Sequence, residues 1–161
     1  MNPTLLTPAG DISVLIVDDD RVVRRVANLV LTEAGLRLYE AADGEEALAT
    51  LAAQHGNIDL VLTDVVMPRL NGVRLAREIE QRWSRPRVLF MSAHPAHVLN
   101  AYGLDLVHAP LIQKPFAGDF LLRKVAEVLR SPRFPTEDRP SARRDEIERR
   151  TVGGHEMLRS G

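Results

Sequence analysis

Ile12-Ser13-Val14-Leu15-Ile16-Val17-Asp18-Asp19 is an apolar run, broken by one serine, that ends on two adjacent carboxylates. A run with no polar face must be covered on both sides if it forms a strand, as strands are inside a parallel sheet. Three later runs end in a similar way. Leu60-Val61-Leu62-Thr63 is followed by Asp64, Val88-Leu89-Phe90-Met91 by Ser92, and Leu111-Ile112-Gln113 by Lys114-Pro115. Of the 21 basic residues, Lys114 and Lys124 alone are lysines. A chain that otherwise uses arginine has an ammonium at this strand end, a compact charge able to pair with a carboxylate or a phosphate oxygen. Carboxylates, a hydroxyl and a lysine at four strand ends read as one site.

Between these runs lie helical patterns. Asp20 can cap a helix over 21–34 that Gly35 stops. A weaker strand follows over 36–41, then helices over 45–55 and 73–83, and a short helix over 95–102. The strands read as 12–17, 36–41, 59–63, 87–91 and 111–113, with a loop over 64–72 marked by Pro68 and Asn71-Gly72. Asp119 is the expected cap of a last helix reaching about residue 130. Five strands alternating with five helices predict an α/β fold, a doubly wound five-stranded parallel sheet with helices on both faces. Ligands of such sheets bind beyond the carboxyl ends of the strands, where Asp18, Asp19, Asp64, Ser92 and Lys114 all fall.

Composition narrows the function. The 161 residues suit one domain with some extra chain, and 21 basic against 22 acidic residues give no general attraction to nucleic acid or anionic membrane. No cysteine is present, so disulfides, thiolate metal sites and thiol nucleophiles are excluded. No apolar run approaches the ~20 residues that span a bilayer, and the start lacks the pattern of a signal peptide, so a cytoplasmic setting is expected. Residues 1–11 read as a flexible lead and 12–130 as the folded domain. In 131–161 seven arginines mix with six acids and three prolines, a composition expected to be disordered.

Val14-Leu15-Ile16-Val17-Asp18-Asp19, Asp64-Val65-Val66-Met67-Pro68 with Asn71-Gly72, Phe90-Met91-Ser92-Ala93 and Lys114-Pro115-Phe116 occur in this order at strand ends. Over about residues 12–130 the chain resembles the receiver (response regulator, CheY-like) domain of two-component signalling, and over 88–116 especially receivers of hybrid histidine kinases. The resemblance implies a flavodoxin-like sheet of strand order 2-1-3-4-5. It implies Asp64 as phosphoryl acceptor, Lys114 and Ser92 as its partners, and a cis peptide at Lys114-Pro115. It further implies Mg²⁺ held by Asp18, Asp19, Asp64 and the backbone carbonyl of Val66, with no enzymatic turnover beyond self-catalysed phosphotransfer and autodephosphorylation. The partners implied are a histidine kinase or histidine phosphotransfer protein, contacted through the first helix, and a downstream protein target. The face of the last two helices and strand would serve that target or a homodimer. The residues after 131 are too few and too polar for a DNA-binding domain, so output by protein contact is expected, with no membrane involved.

Two departures from the family pattern stand out. Leu111 occupies a position where receivers often carry Tyr or Phe as a rotamer switch. Val66 and His94 stand two residues after Asp64 and Ser92, where the family tunes attack of water on the acyl phosphate; Val66 cannot orient a water, so the phosphorylated state is not expected to be especially short-lived. Two competing functions are an aspartyl-phosphate phosphatase, for which Asp18 and Asp20 have the right spacing, and a pseudo-receiver that signals by binding alone. His94 and His97, three apart, could share a helix face with a metal, but no cysteine or acid accompanies them.

Overall fold

The structure, a computed structural model, describes residues 12–131, so the expectations for the lead 1–11 and the tail beyond 131 lie outside the described residues. The strands are β1 (Ser13–Val17), β2 (Arg37–Ala41), β3 (Leu60–Asp64), β4 (Arg87–Ser92) and β5 (Leu111–Gln113). The helices are α1 (Arg21–Glu33), α2 (Gly44–Ala53), α3 (Gly72–Arg82), α4 (Ala96–Ala101) and α5 (Gly118–Arg130). The sheet is wholly parallel in the order β2-β1-β3-β4-β5, as the resemblance implied.

The apolar runs are continuous because both of their faces are buried. Successive strand side chains point to opposite faces. Val14, Ile16, Leu60, Leu62, Leu89, Met91 and Ile112 therefore pack on one side with Ala27 and Leu31 of α1 and Leu121, Val125 and Val128 of α5. Leu15, Val17 and Val61 pack on the other side with Ala47 and Leu51 of α2 and Leu75 and Ile79 of α3. A third cluster joins Phe90 and Leu111 to Val65, Val73 and Leu99 under α4. β2 is an edge strand with two exposed residues of five, which is why its sequence signal is weaker.

Several ends differ from expectation. Asp43 caps α2, accepting from the backbone N–H groups of Glu45 and Glu46, and the helix stops at Ala53 because His55 and Gly56 take left-handed backbone angles. β3 runs one residue later than expected, so Asp64 is its last residue. Asp119 does not cap α5. Ala117 holds that place without a side-chain bond, and Asp119 lies in the first turn, where its charge still complements the helix dipole. Gly118 lets α5 start close against Val30 of α1, since a Cβ there would lie 3.1 Å from that side chain.

At the end of the sheet remote from the acids, Asp59 Oδ2 accepts from Ser13 N (2.9 Å) and Ser13 Oγ (3.0 Å), and Asp59 Oδ1 pairs with Arg85. Burial alone would raise the Asp59 carboxyl, but the Ser13 and Arg85 bonds outweigh it and hold the pKa below the ordinary value. A lowered folded pKa gives stability that is complete above the unfolded value of about 3.9 and is lost as pH falls through the folded one. Asp59→Ala should therefore cost about 1–3 kcal/mol in urea unfolding at pH 7. The gap from wild type should narrow as pH falls below about 4 and the charge-linked part is lost; a gap that does not change with pH would contradict this account.

Candidate functional site

The parallel register sets the site. Val17 pairs with Thr63 and Asp64 with Met91, so Asp18 and Asp64 leave adjacent strands side by side. This is the switch point of the sheet, where β1 lies between β2 and β3. Asp18, Asp19 and Asp64 bring one carboxylate oxygen each to within 4.8 Å of one another; Asp19 is exposed, while Asp18 and Asp64 are 0% and 6% exposed. Lys114, at the end of β5, reaches both buried acids, with Nζ 2.5 Å from Asp18 Oδ2 and 3.2 Å from Asp64 Oδ2. Its peptide bond to Pro115 is cis, and its backbone N–H donates to the Ser92 carbonyl (2.8 Å), fixing the hydroxyl-bearing strand end beside the lysine.

Local bonds aim each group. Asp18 Oδ1 accepts from Asp20 N (2.9 Å), and Asp18 O accepts from Arg24 Nη1 (2.6 Å). Asp64 Oδ1 accepts from Val65 N (2.7 Å), leaving Oδ2 to the lysine. The 65–71 loop returns through a Gly72 N–H bond to Val65 O (2.8 Å). A Cβ at Gly72 would stand 2.1 Å from the Asp64 carbonyl oxygen, so only glycine lets α3 begin against the acid's own backbone. Ser92, 1% exposed, accepts at Oγ from His94 N (3.0 Å), with His94 Nδ1 3.5 Å away. Val66 is half-buried in the loop after Asp64.

Burial raises the Asp64 carboxyl above the ordinary carboxylate range; Lys114 opposes this and the Asp18 charge adds to it. For Lys114 burial would lower the pKa, but the Asp18 hydrogen bond and the charges of Asp64 and Asp18 prevail and raise it. Asp18 and Asp64 thus share one ammonium, and Asp19 adds a third carboxylate beside them. The donors are all hard oxygens, and a cluster left net negative in this way suits a divalent cation of the Mg²⁺ kind.

The structure also separates the other candidates. Asp20 spends its side chain on the N–H of Val22 as the cap of α1, which removes the second carboxylate of the phosphatase reading. His94 precedes α4 and touches Ser92, whereas His97 lies within α4 and is exposed, so they share no helix face. Arg24 turns inward onto the Asp18 carbonyl and pairs with Glu40 (3.6 Å). The contacts of Arg24 and His94 were not legible in the sequence, because they depend on where helix starts and loops cross in space.

An open parallel sheet with an acidic cluster and a lysine at its switch point defines a phosphoryl-accepting α/β signalling domain. The sequence model of the response regulator receiver domain matches residues 14–126, and the chain belongs to that family. Over 117 residues it is 33% identical to a transcriptional regulatory protein, CpxR, of Klebsiella pneumoniae, covering 73% of this chain and 49% of that one. Among solved structures it is similar to the Vibrio cholerae chemotaxis protein CheY4, at 28% identity and TM-score 0.63, covering 74% of this chain and 99% of that one. It is also similar to the receiver domain of the hybrid histidine kinase CckA, at 30% identity and TM-score 0.62, covering 73% and 99%. The chain spans about half the length of the first curated relatives it matches. Receiver domains are the phosphoacceptors of two-component signalling, and this chain carries that class of function. None of the described helices is long and apolar enough to cross a membrane.

Above its raised pKa a buried Asp64 carboxylate costs stability. Asp64→Asn should therefore raise the thermal midpoint of the metal-free protein by a few degrees at pH 7. The gain should shrink as pH falls and the wild-type carboxyl takes up its proton. A variant that melts below wild type in EDTA at pH 7 would show that Asp64 stabilises the fold.

Proposed function

We propose that this chain accepts a phosphoryl group on Asp64 from a phosphohistidine of a histidine kinase or phosphotransfer protein and signals through altered protein contacts. The observation that carries the reading is the Lys114 ammonium bonded to both Asp18 and Asp64 at the ends of three different strands. In the transfer, an Asp64 carboxylate oxygen attacks phosphorus, the P–N bond to imidazole breaks, and the imidazole nitrogen leaves with the electron pair. The product is an acyl phosphate. Such transfers depend on in-line positioning and on neutralising the charge of the phosphoryl oxygens. Mg²⁺, held by Asp18, Asp19, Asp64 and the Val66 carbonyl, would supply part of that neutralisation. Lys114 supplies the rest, moving from the carboxylate to the phosphoryl oxygens it then carries. Ser92 Oγ accepts from the His94 N–H, and its own proton can turn from the long contact with His94 Nδ1 (3.5 Å) to a phosphoryl oxygen. Leu111 packs in the apolar cluster under α4, so any movement of the Ser92 loop meets a repacking side chain rather than a phenol. Val66 offers no group to orient water, which supports a phosphorylated state of ordinary persistence.

Partner docking fits α1. It starts directly after the acids and leaves Val22, Val26 and Leu29, at i, i+4 and i+7, exposed at 70%, 49% and 61% with Arg25 beside them. The α4–β5–α5 face is proposed for the downstream target or a second copy.

Incubation with Mg²⁺ and a small phosphodonor, read by intact mass, tests the chemistry. Wild type should gain one phosphate and Asp64→Asn none. Phosphate on both would move the acceptor to Asp18 or Asp19, and phosphate on neither would leave a pseudo-receiver that acts by binding. Decay of the modified mass after donor removal then measures the lifetime.

The domain boundary is also a proposal. Arg87 Nη1 donates to the carbonyls of Val128 and Ser131, closing the end of α5 onto β4. A chain ending after residue 131 should fold and take up phosphate like the full chain; one cut before Ser131 should melt lower. Loss of folding in the chain that ends after residue 131 would overturn the boundary.

A further inference from the structure

The loop that carries Val66 is fastened at a point away from the acids. Arg69, in the middle of the 65–71 loop, has φ +65, a left-handed angle uncommon outside glycine, asparagine and aspartate. The turn across it is closed by Leu70 N donating to Pro68 O (2.8 Å). Such an angle persists where the surroundings over-determine it. Here the surroundings are the start of α2. The Arg69 guanidinium pairs with Asp43 and lies 3.9 Å from a Glu45 carboxylate oxygen. Leu70 lies against Gly44, where an added Cβ would come 2.7 Å from the Leu70 carbonyl oxygen. Asp43 is 8% exposed and already accepts from Glu45 N and Glu46 N (both 2.9 Å), so its position is fixed before Arg69 reaches it. The loop begins at Asp64, ends at Gly72 against the Asp64 carbonyl, and is held between these points at Arg69 and Leu70.

We infer that the Arg69–Asp43 ion pair is a clasp that positions the 65–71 loop for cation binding, making Arg69 a positioning residue for phosphoryl acceptance although it touches none of the reacting groups. The inference rests on the proposed Mg²⁺-dependent chemistry at Asp64. The clasp joins a loop bearing a cation ligand to the β2–α2 connection, whose neighbour β2 meets the acid loop through the bond from Asp18 N to Ala41 O (3.2 Å). Both sides of the acidic cluster are thereby set against one another. Groups that orient metal ligands at one remove are commonly worth 10–100-fold in metal affinity.

The variants are chosen to spare the fold. Arg69→Gly removes the ion pair and suits the left-handed angle, Arg69→Lys keeps the charge, and Asp43→Asn keeps the helix cap while removing the partner charge. Two readouts are made on the full chain, the thermal shift produced by Mg²⁺ and the rate of phosphorylation by a small phosphodonor across Mg²⁺ concentrations. Arg69→Gly and Asp43→Asn should each need on the order of tenfold more Mg²⁺ for the same shift and the same rate, with the rate restored at saturating Mg²⁺. Arg69→Lys should fall between them and wild type, and the double variant should lose no more than either single one. A merely structural pair would lower the metal-free midpoint and leave the Mg²⁺ dependence unchanged. Mg²⁺ dependence equal to wild type in Arg69→Gly and Asp43→Asn would overturn the clasp. If wild type takes no phosphate, the functional reading fails by itself, and the thermal shift still decides for or against the clasp.

Discussion

Asp18 has no exposed surface, and a carboxylate in that position needs a compensating charge. Lys114 supplies it from 96 residues further along the chain. Removing one partner of a buried pair of this kind typically costs about 3–5 kcal/mol, because the other is left charged without compensation. The pair therefore ties the first strand to the last across β3 and β4. It also explains why the lysine lies at a strand end: only there can one side chain reach the carboxyl ends of β1 and β3 together. The same ammonium is 3.2 Å from Asp64, so a single charge closes the sheet and compensates a second buried acid.

The cluster is left unbalanced. Three carboxylates converge and only two of them pair with the ammonium, Asp64 has a raised pKa, and the neighbouring loop holds a non-glycine residue in a left-handed conformation. Local instability of this kind is usual where a fold is arranged around chemistry rather than around its own stability. The rest of the domain offsets it. Two apolar layers enclose the central strands, and at the opposite end the Asp59–Ser13–Arg85 group is fully paired. The amino ends of the strands thus carry a fully paired group, while the carboxyl ends carry the unbalanced acidic cluster beside the Asp18–Lys114 pair.

Element type was legible because the central strands are buried on both faces and so are apolar throughout, while their ends carry the charges. Boundaries were less legible where a cap depends on space. Asp119 has the right residue type for a cap, yet α5 starts at Gly118, close against Val30 of α1, and the sequence of α5 contains no trace of that neighbour. Asp43 caps α2 and meets Arg69, 26 residues away, a pairing with no periodic signal. Arg24 has no distinguishing sequence context among the arginines of the chain, and only the fold places the Asp18 carbonyl beside it.

The sequence by itself determined the parallel α/β architecture, the order of its elements and the residues that meet at the carboxyl ends, because hydrophobic periodicity and strand-end residue type are local properties. Tertiary structure alone decided which acid shares the lysine, which backbone atoms hold Asp18 and Asp64, and how the loop after Asp64 is fastened to α2. Those are properties of distance between segments far apart in the chain, and no local pattern encodes them.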